Sequence, residues 1–120
     1  YVAVRLLSIL ASGERTLAEI FDAMPRTAST PEIRFDCPDE RKFGAIEAVR
    51  ANLAAEGAQV NDTDGVRVST PDGWWLLRAS NTQAVLVARA EAHDDAALAR
   101  LKGEIRRHLA AVGLTAPGTF

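Results

Sequence analysis

From Asp64 to Ala92 the chain reads as a run of strands, and this stretch limits the fold more than any other. Val66 and Val68 alternate with Arg67 and Ser69, so apolar and polar side chains fall on opposite faces of an extended segment. Asp64-Gly65 and Asp72-Gly73 are turn pairs of the kind that join antiparallel strands. Trp74-Trp75-Leu76-Leu77 follows the second pair, and after a polar interruption at Arg78 to Gln83 the stretch from Ala84 to Ala92 is again strongly β. In a strand Trp74 and Trp75 point to opposite faces, which puts one of them in the core.

Helical signals flank this sheet. Glu32 to Asp36 alternates apolar and charged residues as a half-buried strand would. A helix then starts near Pro38-Asp39, carries Phe43, Ile46, Val49 and Leu53 on one face, and ends at Gly57. Asp94 or Asp95 caps a last helix whose core stripe is Leu98, Leu101, Ile105, Leu109 and Val112, with His108 on its polar side. The order from Glu32 is strand, helix, strands, helix. It implies an α+β domain: an antiparallel sheet of about four strands with two helices packed on one face. Ahead of it, Ala3, Leu6, Leu7 and Leu10 repeat at helical spacing, and Thr16 with Glu19 forms a capping box for a second short helix ended by Pro25. These two helices are expected to be a connector over residues 1–27, with a small-polar hinge near Thr27 to Thr30. The main domain then spans 28–114, and 115–120 form a flexible tail.

At 120 residues there is room for one core, and a formal net charge of -2 leaves no basic footprint for nucleic acid or an anionic membrane. No apolar run approaches the ~20 residues of a membrane span. The single cysteine, Cys37, excludes an intramolecular disulfide, fits a cytoplasmic protein, and is expected to serve packing. The chain opens at Tyr1 directly in helical periodicity, and is expected to be a piece of a longer protein, which leaves room for a catalytic apparatus upstream. His93 and His108 have no acids or cysteines at ligand spacing, so no metal site is expected here.

The polar interruption carries the chemistry. Arg78-Ala79-Ser80-Asn81-Thr82-Gln83 brings a guanidinium, two hydroxyls and two amides into six residues without an acid. Small polar residues let backbone N–H groups converge on an anion, and arginine adds a planar fork that matches two phosphate oxygens. On spacing alone the same residues also make an ordinary turn, since Ser, Asn and Thr favour local hydrogen bonds.

Arg78 to Thr82 is similar to the phosphate-binding loop of the α-D-phosphohexomutases, R-x-S-(N/G)-T. Ser29-Thr30-Pro31-Glu32-Ile33-Arg34 resembles the segment opening that family's fourth, C-terminal domain. Asp64-Gly65-Val66-Arg67-Val68 and Gly73-Trp74-Trp75-Leu76-Leu77-Arg78 resemble two of its strands. Asn81 in place of glycine favours the phosphomannomutase/phosphoglucomutase branch. The resemblance implies a TATA-box-binding-protein-like domain, and an isomerase that interconverts hexose 6-phosphate and hexose 1-phosphate through a bisphosphorylated sugar. It implies a phosphoserine and a Mg²⁺ loop in the upstream domains 1–3, which are this domain's partners. It also implies mannose or glucose phosphates as ligands. Arg78, Ser80, Asn81 and Thr82 would then hold the phosphate that is not reacting. No catalytic residue and no metal ligand would lie in this chain, and the chain by itself would be inactive.

The family's loop commonly continues E-P or T-P, whereas Gln83-Ala84 follows here. Without the proline a fixed φ is lost. Thr27-Ala28-Ser29 resembles the opening of the family's phosphoserine motif, but Thr30-Pro31 follows instead of His-Asn, so Ser29 is not expected to be a nucleophile. The rival reading is a stand-alone α+β interaction domain with a polar turn.

Overall fold

The computed structural model describes residues 1–118. Along the chain run α1 (Val2–Ser12), α2 (Leu17–Asp22), β1 (Ala28–Ser29), β2 (Ile33–Asp36), α3 (Asp39–Ala55), β3 (Val60–Asn61), β4 (Val66–Thr70), β5 (Gly73–Ala79), β6 (Val85–Ala92) and α4 (Asp95–Ala111). The six strands form one antiparallel sheet in the order β1-β6-β5-β4-β3, with β2 also on β6. The architecture is the α+β one read from the pattern. The four longer strands β2, β4, β5 and β6 are those the alternation marks; β1 and β3 are two-residue additions.

The alternation sorts the faces. Trp75, Leu77 and Ala79 of β5 are buried beside Val66 and Val68 of β4 and Leu86, Ala88 and Ala90 of β6. Ile46, Val49 and Leu53 of α3 join Leu101, Ile105 and Leu109 of α4 in this same core. Trp74 lies on the open face, where the Arg67 guanidinium stands 4.6 Å from its ring centre.

β1 and β2 are one edge strand interrupted by a bulge. Ser29 pairs with Glu91 and Ile33 with Ala88, so Pro31 and Glu32 oppose Arg89 alone. Thr30 bridges the gap: its N–H donates to Ala90 O at 2.9 Å, and its Oγ1 accepts from Ala90 N–H at 3.0 Å. Pro31, which has no N–H to give, sits where none is needed. The stretch read as a hinge is therefore tied into the sheet from Ala28 onward.

α1 and α2 bury no residue. The Thr16–Glu19 capping box forms, with Thr16 N–H donating to Glu19 Oε2 at 2.7 Å. Phe21, Met24 and Leu7 on their apolar stripes are exposed. At the other end Leu114 and Ala116 pack against the core, so the segment read as a tail from 115 is anchored at Ala116. Phe120 and its neighbour at 119 lie outside the described residues.

Two side chains depart from the sequence reading. On α3 it is Lys42, 3% exposed, that faces inward, while Phe43 is 54% exposed. On α4 His108 is buried rather than on the polar side. It lies 5.6 Å from the Trp75 ring centre, and its Nε2 accepts from the Arg107 guanidinium at 3.0 Å. Burial, with the Arg107 charge in support, pushes the His108 pKa down, against a smaller upward pull from Glu56 and Glu104. A base that prefers its neutral form in the fold makes the unfolded chain the better proton binder. Stability should then be full above the ordinary histidine value near 6.5 and fall as the pH drops below it. Urea unfolding followed between pH 7.5 and 5.5 should show this slope, and His108→Gln should flatten it. An equal slope in the variant would assign the dependence elsewhere.

Candidate functional site

The β5–β6 hairpin places the polar interruption at one end of the sheet. Ser80 N–H donates to Val85 O at 3.0 Å and closes the hairpin, leaving Asn81, Thr82, Gln83 and Ala84 as an exposed tip. Ser80 itself is buried. Its Oγ accepts from the N–H groups of Gln83 at 3.2 Å and Thr82 at 3.4 Å, a local turn of the kind serine favours. A hydroxyl that accepts two N–H groups still has its own proton to donate. Ser80 is thus first a shaper of the loop, with Asn81 and Thr82 presented outward.

The tip is fastened from beneath by three groups. Lys42 Nζ donates to Gln83 O at 2.9 Å and is held by Asp39 Oδ1 at 2.6 Å. Cys37, fully buried as its packing role requires, gives its N–H to Ala84 O at 2.9 Å. Arg34 Nη1 donates to Gln83 Oε1 at 2.8 Å, while its Nε pairs with Glu32 at 2.7 Å. Arg34 thus joins an ion pair with a local acid to a bond that reaches the loop 49 residues away in sequence.

Arg78 sits two residues before Ser80 with its side chain on the open face of the sheet. Its guanidinium lies 3.9 Å from Asp64 Oδ2 and is partly exposed. Asp64 also lines, with Asn81, Gly65, Arg50 and Asp62, a cavity of about 160 Å³ between the β3–β4 loop and α3. The fold thus gathers Ser80, Asn81 and Thr82 in one tip, with Arg78 at its base beside Asp64. The sequence marked Asp64 only as a turn residue, so this partner of Arg78 was missed. Arg78 and Arg89 also reach Glu32 electrostatically. Its carboxyl is held below the usual carboxylate range, mainly by the hydrogen bond from Arg34.

Among the described residues no group of three His, Cys, Asp or Glu side chains is placed to hold a metal ion. No described helix is long and apolar enough to cross a membrane.

An α+β sheet domain whose β5–β6 hairpin carries a polar, acid-free tip is the class of protein that these elements define. A family model described as "Phosphoglucomutase/phosphomannomutase, C-terminal domain" matches residues 32–108, and the chain belongs to that family. The phosphomannomutase/phosphoglucomutase of Pseudomonas putida is 46% identical over 109 residues, covering 91% of this chain and 24% of that protein. The enzyme of the same description from Pseudomonas aeruginosa is 42% identical over all 120 residues, 26% of its length. A crystal structure of a phosphoglucomutase/phosphomannomutase family protein from Burkholderia thailandensis superposes with a TM-score of 0.75 at 39% identity, covering 97% of this chain and 23% of that one. The chain spans about a quarter of the length of the relatives it matches.

Proposed function

We propose that this chain is the substrate-phosphate-binding C-terminal domain of a phosphomannomutase/phosphoglucomutase. Such an enzyme is an isomerase, an intramolecular phosphotransferase that interconverts hexose 6-phosphate and hexose 1-phosphate through a bisphosphorylated sugar. The tip at Asn81 and Thr82, with Ser80 beneath it and Arg78 at its base, receives the phosphate that is not reacting. Holding one phosphate fixes where the other end of the sugar lies, so this domain contributes orientation rather than bond-making. Upstream domains of the same cytoplasmic chain supply the phosphoserine and the Mg²⁺ that neutralises charge at the reacting phosphate. This domain alone turns over no substrate. The observation that carries the reading is the pinned, acid-free polar tip standing beside a partly exposed guanidinium.

NMR titration with mannose 6-phosphate and with inorganic phosphate tests it. Shift changes should cluster on Arg78, Ser80, Asn81 and Thr82. No response at millimolar ligand would favour a stand-alone interaction domain instead. Asp64 competes with the ligand for Arg78, and an exposed pair of this kind is worth ~0–1 kcal/mol. Asp64→Asn should therefore tighten phosphate binding by about two- to fivefold in the same titration. Weaker binding in that variant would make Asp64 a ligand-positioning group, not a competitor.

A further inference from the structure

We propose that Lys42 is a positioning residue for the phosphate loop, acting through the Gln83 carbonyl to hold the tip in the shape that receives the anion. The proposal rests on the phosphate reading of that loop. Lysine seldom occupies a core-facing helical position, because its ammonium must be taken out of water. Here Lys42 takes such a position, 3% exposed, while the neighbouring Phe43 is left outside. What the ammonium reaches there decides its role. One partner, Asp39, is a mostly exposed carboxylate one turn earlier on the same helix. The other is the backbone of the loop, 41 residues away in sequence.

The bond bears on anion binding through the direction of peptide dipoles. An anion is attracted by N–H groups and repelled by carbonyl oxygens. Lys42 draws the Gln83 carbonyl down toward α3, and Cys37 N–H draws the Ala84 carbonyl toward the β2–α3 junction. Both oxygens are thereby committed beneath the tip. Ser80 Oγ meanwhile collects the N–H groups of Thr82 and Gln83, so Gln83 is held at both ends of its backbone. Ala84 has no ring to fix its φ, and these hydrogen bonds supply the restraint that a proline would give. The Arg34 bond to the Gln83 side chain adds to this, but it is exposed and reaches no backbone atom.

Three measurements on this chain test the proposal. In the wild type, a scalar coupling across the hydrogen bond should link Lys42 Nζ to the Gln83 carbonyl carbon. In Lys42→Met, the Thr82 and Gln83 amides should exchange with solvent at least about tenfold faster, the scale of one lost charged hydrogen bond, while those of Leu77 and Leu86 hold. Mannose 6-phosphate binding should weaken by about the same factor, and Lys42→Arg should restore part of it. Absence of the coupling overturns the proposal without recourse to any variant, even if Lys42→Met fails to fold. Unchanged loop exchange in Lys42→Met, or a loosened loop with unchanged affinity, overturns it as well. A wild-type chain that shows the coupling yet binds no sugar phosphate sinks the phosphate reading and leaves the Lys42 clamp standing.

Discussion

Gly65→Ala should destabilise the domain by about 3 kcal/mol, because the substitution meets two independent penalties. Gly65 has φ +77, a left-handed conformation that L side chains avoid at a cost of ~1–2 kcal/mol. A Cβ there would also run into the Leu77 carbonyl oxygen and stand 2.6 Å from Arg78 Cβ and 2.8 Å from Arg78 Cα. Most of those atoms belong to the backbone of β5, so no side-chain rotation relieves the contact. Either the β3–β4 loop lifts off or β5 shifts where Arg78 leaves it. The thermal midpoint should fall by about 10–15 °C for a domain of this size. An unchanged midpoint would mean that the β3–β4 loop does not rest on β5. If the loop lifts, Asp64 moves away from Arg78 and stops competing for it, so the folded fraction of the variant should bind phosphate at least as tightly as wild type.

The sheet was legible because β sequence makes its own geometry explicit. Val66 and Val68 against Arg67 and Ser69 determine which face is buried, and the same parity carries Trp75 inward and Trp74 outward. The helices were legible by period, but two positions failed where a residue's type masked its place. Lys42 and His108 both lie on inward faces by spacing, α3 burying 42, 45, 46, 49 and 53, and α4 burying 97, 101, 105, 108 and 109. Phe43 was assigned to the α3 stripe in place of Lys42, and His108 to the polar side of α4; preferring Phe to Lys and exposing His is sound for unpaired groups. It fails here because each finds a partner inside: the Gln83 carbonyl for Lys42, and Trp75 with Arg107 for His108. Gln83 and Trp75 lie far along the chain from the helices they meet, and no local pattern announces them. Arg107 is His108's neighbour on α4, but its turn toward the ring is not visible in the sequence.

The loop stands differently. Its residue types alone were compatible with an ordinary turn, and the hydrogen bonds of Ser80 are those an ordinary turn would make. The proposal that it is more than one rests on context: the family match, a backbone fastened from α3 and the β2–α3 junction, and a Gln83 side chain held from β2. Asp64 escaped notice because Asp-Gly already had a sufficient explanation as a turn pair.

Arg78→Ala should weaken binding of mannose 6-phosphate by about 1.5–3 kcal/mol, or roughly ten- to a hundredfold in Kd, the scale of a lost charge-assisted hydrogen bond. Among the proposed ligands Arg78 alone carries charge, and a guanidinium meets two phosphate oxygens at once where a hydroxyl or amide meets one. Its present partner is a weak competitor: Asp64 is mostly exposed and its oxygen is 3.9 Å away, beyond hydrogen-bond range. A doubly charged phosphate arriving at the tip can therefore take the guanidinium without breaking a strong contact. Arg78→Lys should recover only part of the loss, since a point charge lacks the fork. The fold should tolerate both changes, because the side chain lies on the open face of β5 and fills no core space. A melt close to wild type therefore accompanies the binding loss. If Arg78→Ala binds sugar phosphate as wild type does, the anion is held by the tip without the arginine, and Arg78 leaves the site.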